Sequence, residues 1–169
     1  MGYDVLEFIL KNFEYQNGFV YRTACHGGEP IGKRAGWLTV CNGKPYWKVS
    51  IRRKTMYLHH IIFMMHHNYL PKCIDHVDGN STNNQIENLR AATQSQNIAN
   101  SKLKTNNTSG YKGVSFRKDT GKWQSSVMVN GKHISLGSYV TKEEAHQAYI
   151  LGSKKYFGEF AKAEGKATI

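Results

Sequence analysis

The sequence predicts an α+β protein in two parts, with N-terminal β-hairpins leading into a small mixed core and a compact βββα unit after it. Two observations predict this fold class. Short runs of alternating apolar and polar residues, bounded by Asn-Gly turns, occupy both ends of the chain, and one helical pattern follows the last three runs. The 169 residues are enough for two small domains with separate cores.

The first 60 residues are predicted to form β-strands joined by hairpins. Asn17-Gly18 and Asn42-Gly43 have the sequence that tight hairpin turns favour, because both residue types tolerate a positive φ. Residues 58–68 combine apolar residues with four histidines and predict a short helix. Residues 79–84 are rich in Gly, Asn and Ser and predict a loop, which Asp78, Asn80 and Asn83 are expected to shape through Asx-type hydrogen bonds.

The middle of the chain predicts a brief strand over residues 89–93 and a helix over residues 94–103. The polar side of this helix is expected to carry Ser95, Gln96, Asn97 and Asn100. A polar, basic stretch without apolar periodicity predicts a linker at 102–109. The expected domains are therefore residues 1–101 and residues 110–169.

The second domain is predicted to contain three strands and one helix. The strand-like runs are residues 111–117, 121–129 and 132–139, separated by turns at Asp119-Thr120-Gly121 and at Asn130-Gly131. Thr141 and Glu144 have the spacing of a helix capping box. The apolar face of the helix that follows is expected to carry Ala145, Ala148, Tyr149 and Gly152, up to about Phe157.

The charge balance favours a polyanionic partner. Lys and Arg total 23 against 12 acidic residues, which gives a net charge of +11 and a pI of about 9.6. No segment approaches the roughly 18 to 20 apolar residues of a membrane span, and the acid-containing N-terminus lacks a signal-peptide pattern. We therefore expect a cytoplasmic, nucleic-acid-binding protein with no membrane contact and no obligate protein partner.

The three cysteines do not indicate a disulfide framework or a zinc ribbon. Cys25, Cys41 and Cys73 are odd in number and far apart, with no C-x-x-C spacing. They are expected to be reduced, partly buried thiols.

One stretch contains the residue types that phosphodiester hydrolysis needs. It includes Asp75-His76, the loop residues 78–84, the run Glu87-Asn88-Leu89-Arg90 and, further on, Asn97. Hydrolysis needs a base that deprotonates water and a Lewis acid that stabilises the phosphate oxygens. A histidine beside a carboxylate, with another oxygen ligand on a following helix, supplies both. A hard ion such as Mg²⁺ needs few protein ligands, because water and phosphate complete its shell.

At these residues the chain resembles the HNH endonucleases of the phage and group I intron type, over about residues 58–100. The motif of that family is D-H-x-D/N-G-N, then N-N, then N-L-R, then a helix with an Asn. The resemblance implies a ββα-metal core in which His76 is the general base and Asn88 braces the loop that holds it. It also implies one divalent ion, Mg²⁺ or Mn²⁺, bound by Asp75 and Asn97.

Two further positions are phosphate candidates by the same resemblance. His59 lies where family members begin an H-R-L-type segment, so it is expected to line the active site near the phosphate. The next residue is His60 and not Arg, which makes Arg90 the better phosphate candidate. The histidines at 59, 60, 66 and 67 lack a third ligand at zinc-site spacing, so no structural zinc site is expected.

The C-terminal part resembles the Apetala (ethylene-response-factor) DNA-binding domain over residues 108–162. The matching residues are Ser109–Arg117, Gly121–Trp123, Val129–Lys132, Leu136–Tyr139, Thr141–Ala145, Ala148-Tyr149 and Gly158–Phe160. The resemblance implies that the sheet enters the major groove with the helix behind it. The expected DNA contacts are Lys112, Ser115, Arg117, Lys118, Lys122, Trp123 and Ser125. Tyr139, Tyr149 and Phe160 are expected in the core, whereas Trp123 fits either role.

The function predicted from the sequence is a metal-dependent endonuclease acting on double-stranded DNA. A non-catalytic DNA-binding regulator on an HNH scaffold is the main alternative, but a decayed site has no need to keep Asp75, His76, Asn88 and Asn97 together. An RNA-binding basic protein would explain the charge and leave that set of residues unexplained.

Overall fold

The computed structural model describes residues 3–25 and 28–162, which group into two compact units, Met1–Ala91 and Ala92–Ile169. This division lies ten residues before the end of the first domain predicted from the sequence. Helix α3 (Gln94–Asn100) therefore groups with the C-terminal unit by its contacts. The linker expected at residues 102–109, between a nuclease domain and a DNA-binding domain, stays a prediction.

The N-terminal unit contains two α-helices, seven strands and a short 3₁₀ helix (Ile86–Asn88, between the last two strands) within its described residues. In chain order they are α1 (Tyr3–Asn12), β1 (Phe13–Gln16), β2 (Phe19–Arg22), β3 (Trp37–Cys41), β4 (Lys44–Ile51), β5 (Lys54–Tyr57), α2 (Leu58–His67), β6 (Ile74–His76) and β7 (Leu89–Ala91). Strands β1 and β2 form one hairpin, β3-β4-β5 form an antiparallel sheet, and β6 pairs with β7.

The prediction of strands throughout the first 60 residues was wrong at the N-terminus, where α1 is a helix. Leu6, Ile9 and Phe13 recur at helical spacing, and the last two are buried in the core. Asp4 in the first turn and Lys11 in the last turn complement the helix dipole. This apolar spacing outweighs the β-like composition of the residues that follow.

Both predicted Asn-Gly turns are confirmed. Asn17-Gly18 joins β1 to β2 and Asn42-Gly43 joins β3 to β4, with positive φ at all four residues. A third hairpin, between β4 and β5, turns at Arg52-Arg53 with φ values of 48° and 65°. Because arginine rarely adopts a positive φ, nothing in the sequence indicated that turn.

Helix α2 lies at the centre of the N-terminal core, and its prediction over residues 58–68 is confirmed. Leu58, Ile61 and Ile62 are fully buried and belong to one cluster with Ile9 and Val49. The helix ends where Asn68 adopts a left-handed conformation. The first turn of α2 follows β5 without a loop, because β5 ends at Tyr57 and α2 begins at Leu58. This brings His59 to the edge of the β3-β4-β5 sheet.

The C-terminal unit has the predicted βββα order after α3. Its elements are β8 (Val114–Arg117), β9 (Lys122–Val129), β10 (Lys132–Tyr139), α4 (Lys142–Phe157) and a short 3₁₀ helix (Gly158–Phe160). The sheet is antiparallel with β9 in the middle, and the Thr141/Glu144 capping box is present as predicted. Helix α3 ends three residues earlier than predicted, at Asn100.

A second hydrophobic core joins α3, the sheet and α4. Its buried members include Ala99, Val127, Tyr149 and Phe160, so the predicted core positions of Tyr149 and Phe160 are confirmed. Residues 102–109 contain no helix or strand, as expected of the predicted linker, but they are held by hydrogen bonds. The Asn107 amide donates to the Tyr111 carbonyl at 3.0 Å and accepts from the Gly110 N–H at 2.7 Å.

The cysteine prediction is partly confirmed. None of the three cysteines is in a disulfide, and Cys41 and Cys73 are partly buried, whereas Cys25 is exposed. Within residues 3–25 and 28–162, no helix has the length and apolar character needed to cross a membrane.

Candidate functional site

Strands β6 and β7 place a buried carboxylate beside a guanidinium. Asp75 on β6 is directly opposite Arg90 on β7 in the register, and Arg90 Nε donates to Asp75 Oδ2 at 2.9 Å. The Asp75 side chain is 3% exposed and that of Arg90 is 17% exposed. The attraction between the two charges offsets part of the cost of removing them from water.

The next residue, His76, is also buried, and Asn84 determines its tautomer. His76 Nε2 lies 3.2 Å from Asn84 Oδ1. An amide oxygen only accepts hydrogen bonds, so this contact requires the ring proton on Nε2 and leaves a lone pair on Nδ1. His76 Nδ1 is therefore the basic atom of the site.

Asn84 is a site residue that sequence reasoning missed. The Asn83-Asn84 pair matches the N-N element of the HNH motif, but the sequence predicts only a loop at these positions. The side chain of Asn84 is buried, and its segment packs against the β1-β2 turn: a Cβ on Gly18 would lie only 3.1 Å from the Gln85 nitrogen. The Ile86 N–H also donates to the Tyr15 hydroxyl at 3.2 Å. The first hairpin thus supports the residue that orients His76.

Asn88 braces the loop that follows His76. Its Oδ1 accepts from the Asp78 N–H at 3.0 Å, and its Nδ2 donates to Asp78 Oδ1 at 3.0 Å and to the Asn83 carbonyl at 2.8 Å. This geometry agrees with the bracing role that the resemblance implies for Asn88. The direct partner of the His76 ring, however, is Asn84.

Side-chain turns complete the loop, as the sequence predicted for Asp78, Asn80 and Asn83. Asp78 Oδ1 accepts from the Asn80 N–H at 2.7 Å, and Asn80 Oδ1 accepts from the Thr82 N–H at 3.1 Å. Although burial acts to raise it, the pKa of Asp78 is lowered by hydrogen bonds from Asn80, Asn83 and Asn88. The loop therefore contains an ionised carboxylate near the imidazole.

His59 and His60 lie against His76 and form a cluster of neutral imidazoles. The ring centroids of His59 and His76 are 5.1 Å apart, and those of His59 and His60 are 4.5 Å apart. Burial, with smaller contributions from His60 and His76, lowers the pKa of His59 to about 2. Burial also lowers the pKa of His60. The structure thus brings His59 beside the proposed base, as the resemblance implies.

The electrostatics of His76 suit a general base. Burial lowers the pKa of His76, while the hydrogen bond to Asn84 and the charges of Asp78 and Asp75 act in the opposite direction. The nearby Lys44 lowers it further. A pKa below the ordinary value keeps the ring neutral and able to accept a proton at neutral pH.

The donor set fits a hard divalent ion and does not fit a closed zinc site. Asp75 supplies one carboxylate, and no group of three His, Cys, Asp or Glu residues at metal-site geometry occurs among the described residues. Mg²⁺ keeps several waters and takes further oxygens from a phosphate, so one or two protein ligands suffice. Because Arg90 donates a hydrogen bond to the Asp75 carboxylate, a metal ion bound by Asp75 would lie close to the Arg90 guanidinium.

Asn97, the other ligand implied by the resemblance, lies on α3 in the C-terminal unit. Its side chain is partly exposed, whereas Ser95 and Asn100, expected on the polar side of α3, are buried. Ser95 Oγ accepts from the Asn130 N–H at 2.9 Å, which explains its burial. The role of Asn97 in metal binding stays a prediction.

Two of the predicted DNA contacts in the C-terminal unit do not fit an exposed interface. Ser125 is 0% exposed and faces the core, since it pairs with the buried Val114 across β8 and β9. Lys112 Nζ donates to the carbonyls of Ala99 and Ser101, at 2.5 and 2.6 Å, and so anchors the end of α3. Lys112 and Ser125 therefore have structural roles.

The remaining predicted contacts lie at or near the surface of the C-terminal sheet. Ser115, Arg117, Lys118 and Lys122 are exposed. Arg117 forms an exposed ion pair with Asp119 at 3.1 Å. Trp123 is partly buried and packs on Phe116 with ring centroids 5.0 Å apart, on the same face as Ser125. The opposite face, with Ser115, Arg117 and Lys122, carries the basic groups.

Comparison with known proteins agrees with this site. A family model described as HNH endonuclease matches residues 56–99, the segment that includes α2, β6, the loop, β7 and most of α3. Protein 3.8 of Escherichia phage T7 is 37% identical over 83 residues, which cover 43% of this chain and 69% of that protein.

A longer alignment joins the chain to a viral protein. An uncharacterized HNH endonuclease of Acanthamoeba polyphaga mimivirus is 34% identical over 135 residues, covering 78% of this chain and 68% of that protein. No solved structure matches. On these alignments and on the Asp75-His76 site, the chain belongs to the HNH endonuclease family.

Proposed function

We propose that the protein is a metal-dependent endonuclease that hydrolyses phosphodiester bonds in duplex DNA. The observation that carries the proposal is the buried His76, whose Nε2 faces the Asn84 amide oxygen at 3.2 Å and whose pKa is lowered by burial. Membership of the HNH endonuclease family supports the same reaction.

In the proposed reaction, His76 Nδ1 takes a proton from a water molecule, and the resulting hydroxide attacks the scissile phosphorus. The P–O3′ bond breaks and the departing 3′ oxygen takes a proton from solvent, which leaves 5′-phosphate and 3′-hydroxyl ends. Asp75 and Asp78, whose charges raise the pKa of His76, stabilise the imidazolium that forms. Asn84 keeps the ring in place during the transfer, and Asn88 keeps the loop in place.

A divalent ion, Mg²⁺ or Mn²⁺, would stabilise the negative charge on the phosphate and on the leaving oxygen. Asp75 and, by family resemblance, Asn97 are proposed as its protein ligands. Arg90 fixes the Asp75 carboxylate and is proposed as a phosphate partner, with His59 lining the site nearby.

The C-terminal unit is proposed to hold the enzyme on duplex DNA. The support is its βββα order, its resemblance to the Apetala domain and the basic residues on the exposed face of its sheet. The proposed contacts on this face are Ser115, Arg117, Lys118 and Lys122. Trp123, on the other face of the sheet, is a further proposed contact.

The test is cleavage of supercoiled plasmid by wild type and by His76→Ala, with Mg²⁺, with Mn²⁺ and with chelator. We expect metal-dependent nicked or linear product from wild type, and a rate about 10²- to 10⁴-fold lower in the variant, the usual contribution of a general base. Duplex binding should be unchanged. His67→Ala, which removes an exposed histidine of α2, is the matched control and should cut like wild type.

A His76→Ala protein that cuts at the wild-type rate would contradict the assignment of the base. A wild type that binds duplex DNA but cuts none under any of the metals would favour the non-catalytic regulator.

A further inference from the structure

One face of the β3-β4-β5 sheet is partly exposed and basic. Its Lys44 lowers the pKa of His76, but no step of the proposed reaction assigns a role to its lysines in binding DNA. We call it the lysine face and define it by cross-strand rows. The rows are Trp37, Lys48 and Tyr57; Thr39 and Tyr46; and Cys41 and Lys44. The opposite face carries Val49 and Ile51, which are buried in the N-terminal core. Alternation along β4 therefore directs Lys44 and Lys48 away from the core.

The charge on the lysine face is not balanced by nearby acidic residues in the sequence. Between Glu29 and Asp75 the chain contains no Asp or Glu and eight Lys or Arg residues. Lys44 is exposed, and Lys48 Nζ lies 5.0 Å from the centre of the Tyr57 ring. Because this stretch of the sequence supplies no acidic side chain to neutralise the lysines, the surface attracts a polyanion.

The lysine face is continuous with the catalytic histidines. Tyr46 and Tyr57 both contact the His59 ring, with centroid distances of 5.9 and 5.3 Å. Ser81, in the loop that follows His76, donates its hydroxyl to the Pro45 carbonyl on β4 at 2.6 Å. The loop of the proposed active site is thus tied to the strand that carries both lysines.

We propose that the lysine face binds the phosphate backbone of the DNA duplex next to the bond that is cut, with Lys44 and Lys48 each contacting a phosphate. The two lysines are four residues apart on β4, about 13 Å along the strand. This spacing allows contacts with separate phosphates. The inference rests on the proposed function, because it takes the substrate to be the DNA that the C-terminal unit also holds.

The test measures duplex binding by the full-length chain in chelator, so that no cleavage is needed. Binding of a mixed-sequence duplex is titrated at several salt concentrations for wild type and for Lys44→Gln/Lys48→Gln. The slope of log K against log[salt] is negative, and each lost phosphate contact reduces its magnitude by about 0.9. We expect the slope of the double variant to fall by about two, and that of each single variant by about one.

Lys54→Gln is the matched control from the same sheet. Lys54 is exposed and pairs with the buried Ile51, so it lies on the side opposite the lysine face. Its slope should equal that of wild type. Thermal melting checks that each variant is folded, and the single variants replace the double variant if it is not.

The outcomes separate this inference from the nuclease proposal. A folded Lys44→Gln/Lys48→Gln protein with the wild-type slope would overturn the lysine face and leave the nuclease intact. A reduced slope in a protein that never cuts DNA with Mg²⁺ or Mn²⁺ would support the face and overturn the nuclease.

Discussion

The side chain of Asn84 decides which nitrogen of His76 can act as a base. Without that amide oxygen, either ring nitrogen could carry the proton, and only the tautomer with the proton on Nε2 is productive in the proposed reaction. In the proposed reaction, Asn84 contacts neither the scissile phosphate nor the attacking water. It is a positioning residue, and its effect on the reaction is indirect.

Asn84→Ala should therefore lower kcat by about 10- to 100-fold, as is typical when a group that orients an imidazole is removed. KM for the duplex should stay unchanged, because the DNA contacts are intact. Asn84→Asp keeps an acceptor opposite Nε2 and should recover part of the lost activity. Steady-state cleavage kinetics give the split between kcat and KM, and a rise in KM with unchanged kcat would contradict the positioning role.

At the scale of elements, helix α3 is fixed by hydrogen bonds from other segments of the C-terminal unit. Ser95 near its start accepts from the Asn130 N–H, and the carbonyl of Ala99 near its end accepts from Lys112 Nζ and from the Lys162 N–H. The helix that carries Asn97 therefore belongs structurally to the βββα unit. One of the residues that stabilise it, Lys112, is a predicted DNA contact.

Lys112→Met should test this assignment, because methionine keeps most of the length of the side chain and removes the ammonium. Two hydrogen bonds to a charged donor are lost, so the free energy of unfolding of the C-terminal unit should fall by about 1.5–3 kcal/mol. The salt slope of duplex binding should not change. Urea unfolding and binding titrations measure the two quantities, with the exposed Lys132→Met as control. A slope reduced by about one at full stability would restore Lys112 to the DNA interface.

The elements that could be predicted from the sequence are those with a local cause. The Asn-Gly hairpins, the α4 capping box and the Asx turns of the 78–84 loop each depend on residues a few positions apart. The Arg52-Arg53 turn could not be predicted, because it is imposed by the pairing of β4 with β5. The roles of Asn84 and Lys112 depend on partners 8 and at least 11 residues away, which no local pattern encodes.

At the scale of the whole molecule, basic residues are distributed along the chain while its histidines are concentrated in one unit. The net charge of +11 is spread over both units. The cluster of His59, His60 and His76 lies within the N-terminal unit, and burial lowers the pKa of all three. Their neutrality in the folded state links the stability of the protein to pH.

The sign of that link follows from proton uptake. Below the ordinary histidine pKa of about 6.5, the unfolded chain binds protons that the buried rings do not, so acid favours unfolding. The stabilising contribution is complete above that pKa and is lost as the pH falls. Because the pKa of His59 is about 2 in the folded protein, this residue alone should lower the free energy of unfolding by about 2 kcal/mol between pH 6.5 and pH 5.

Urea unfolding of wild type and of His59→Gln at pH 7.5, 6.5 and 5 measures this loss. Glutamine does not titrate, so the variant should lose less stability than wild type between pH 6.5 and pH 5, by about 2 kcal/mol. The exposed His67→Gln controls for removal of a histidine from the same helix. Asp78 beside the cluster does not account for the effect, because hydrogen bonds lower its pKa and its titration lies below this pH window. Equal acid sensitivity in wild type and His59→Gln would show that the His59 ring is protonated, or accessible to protons, in the folded state.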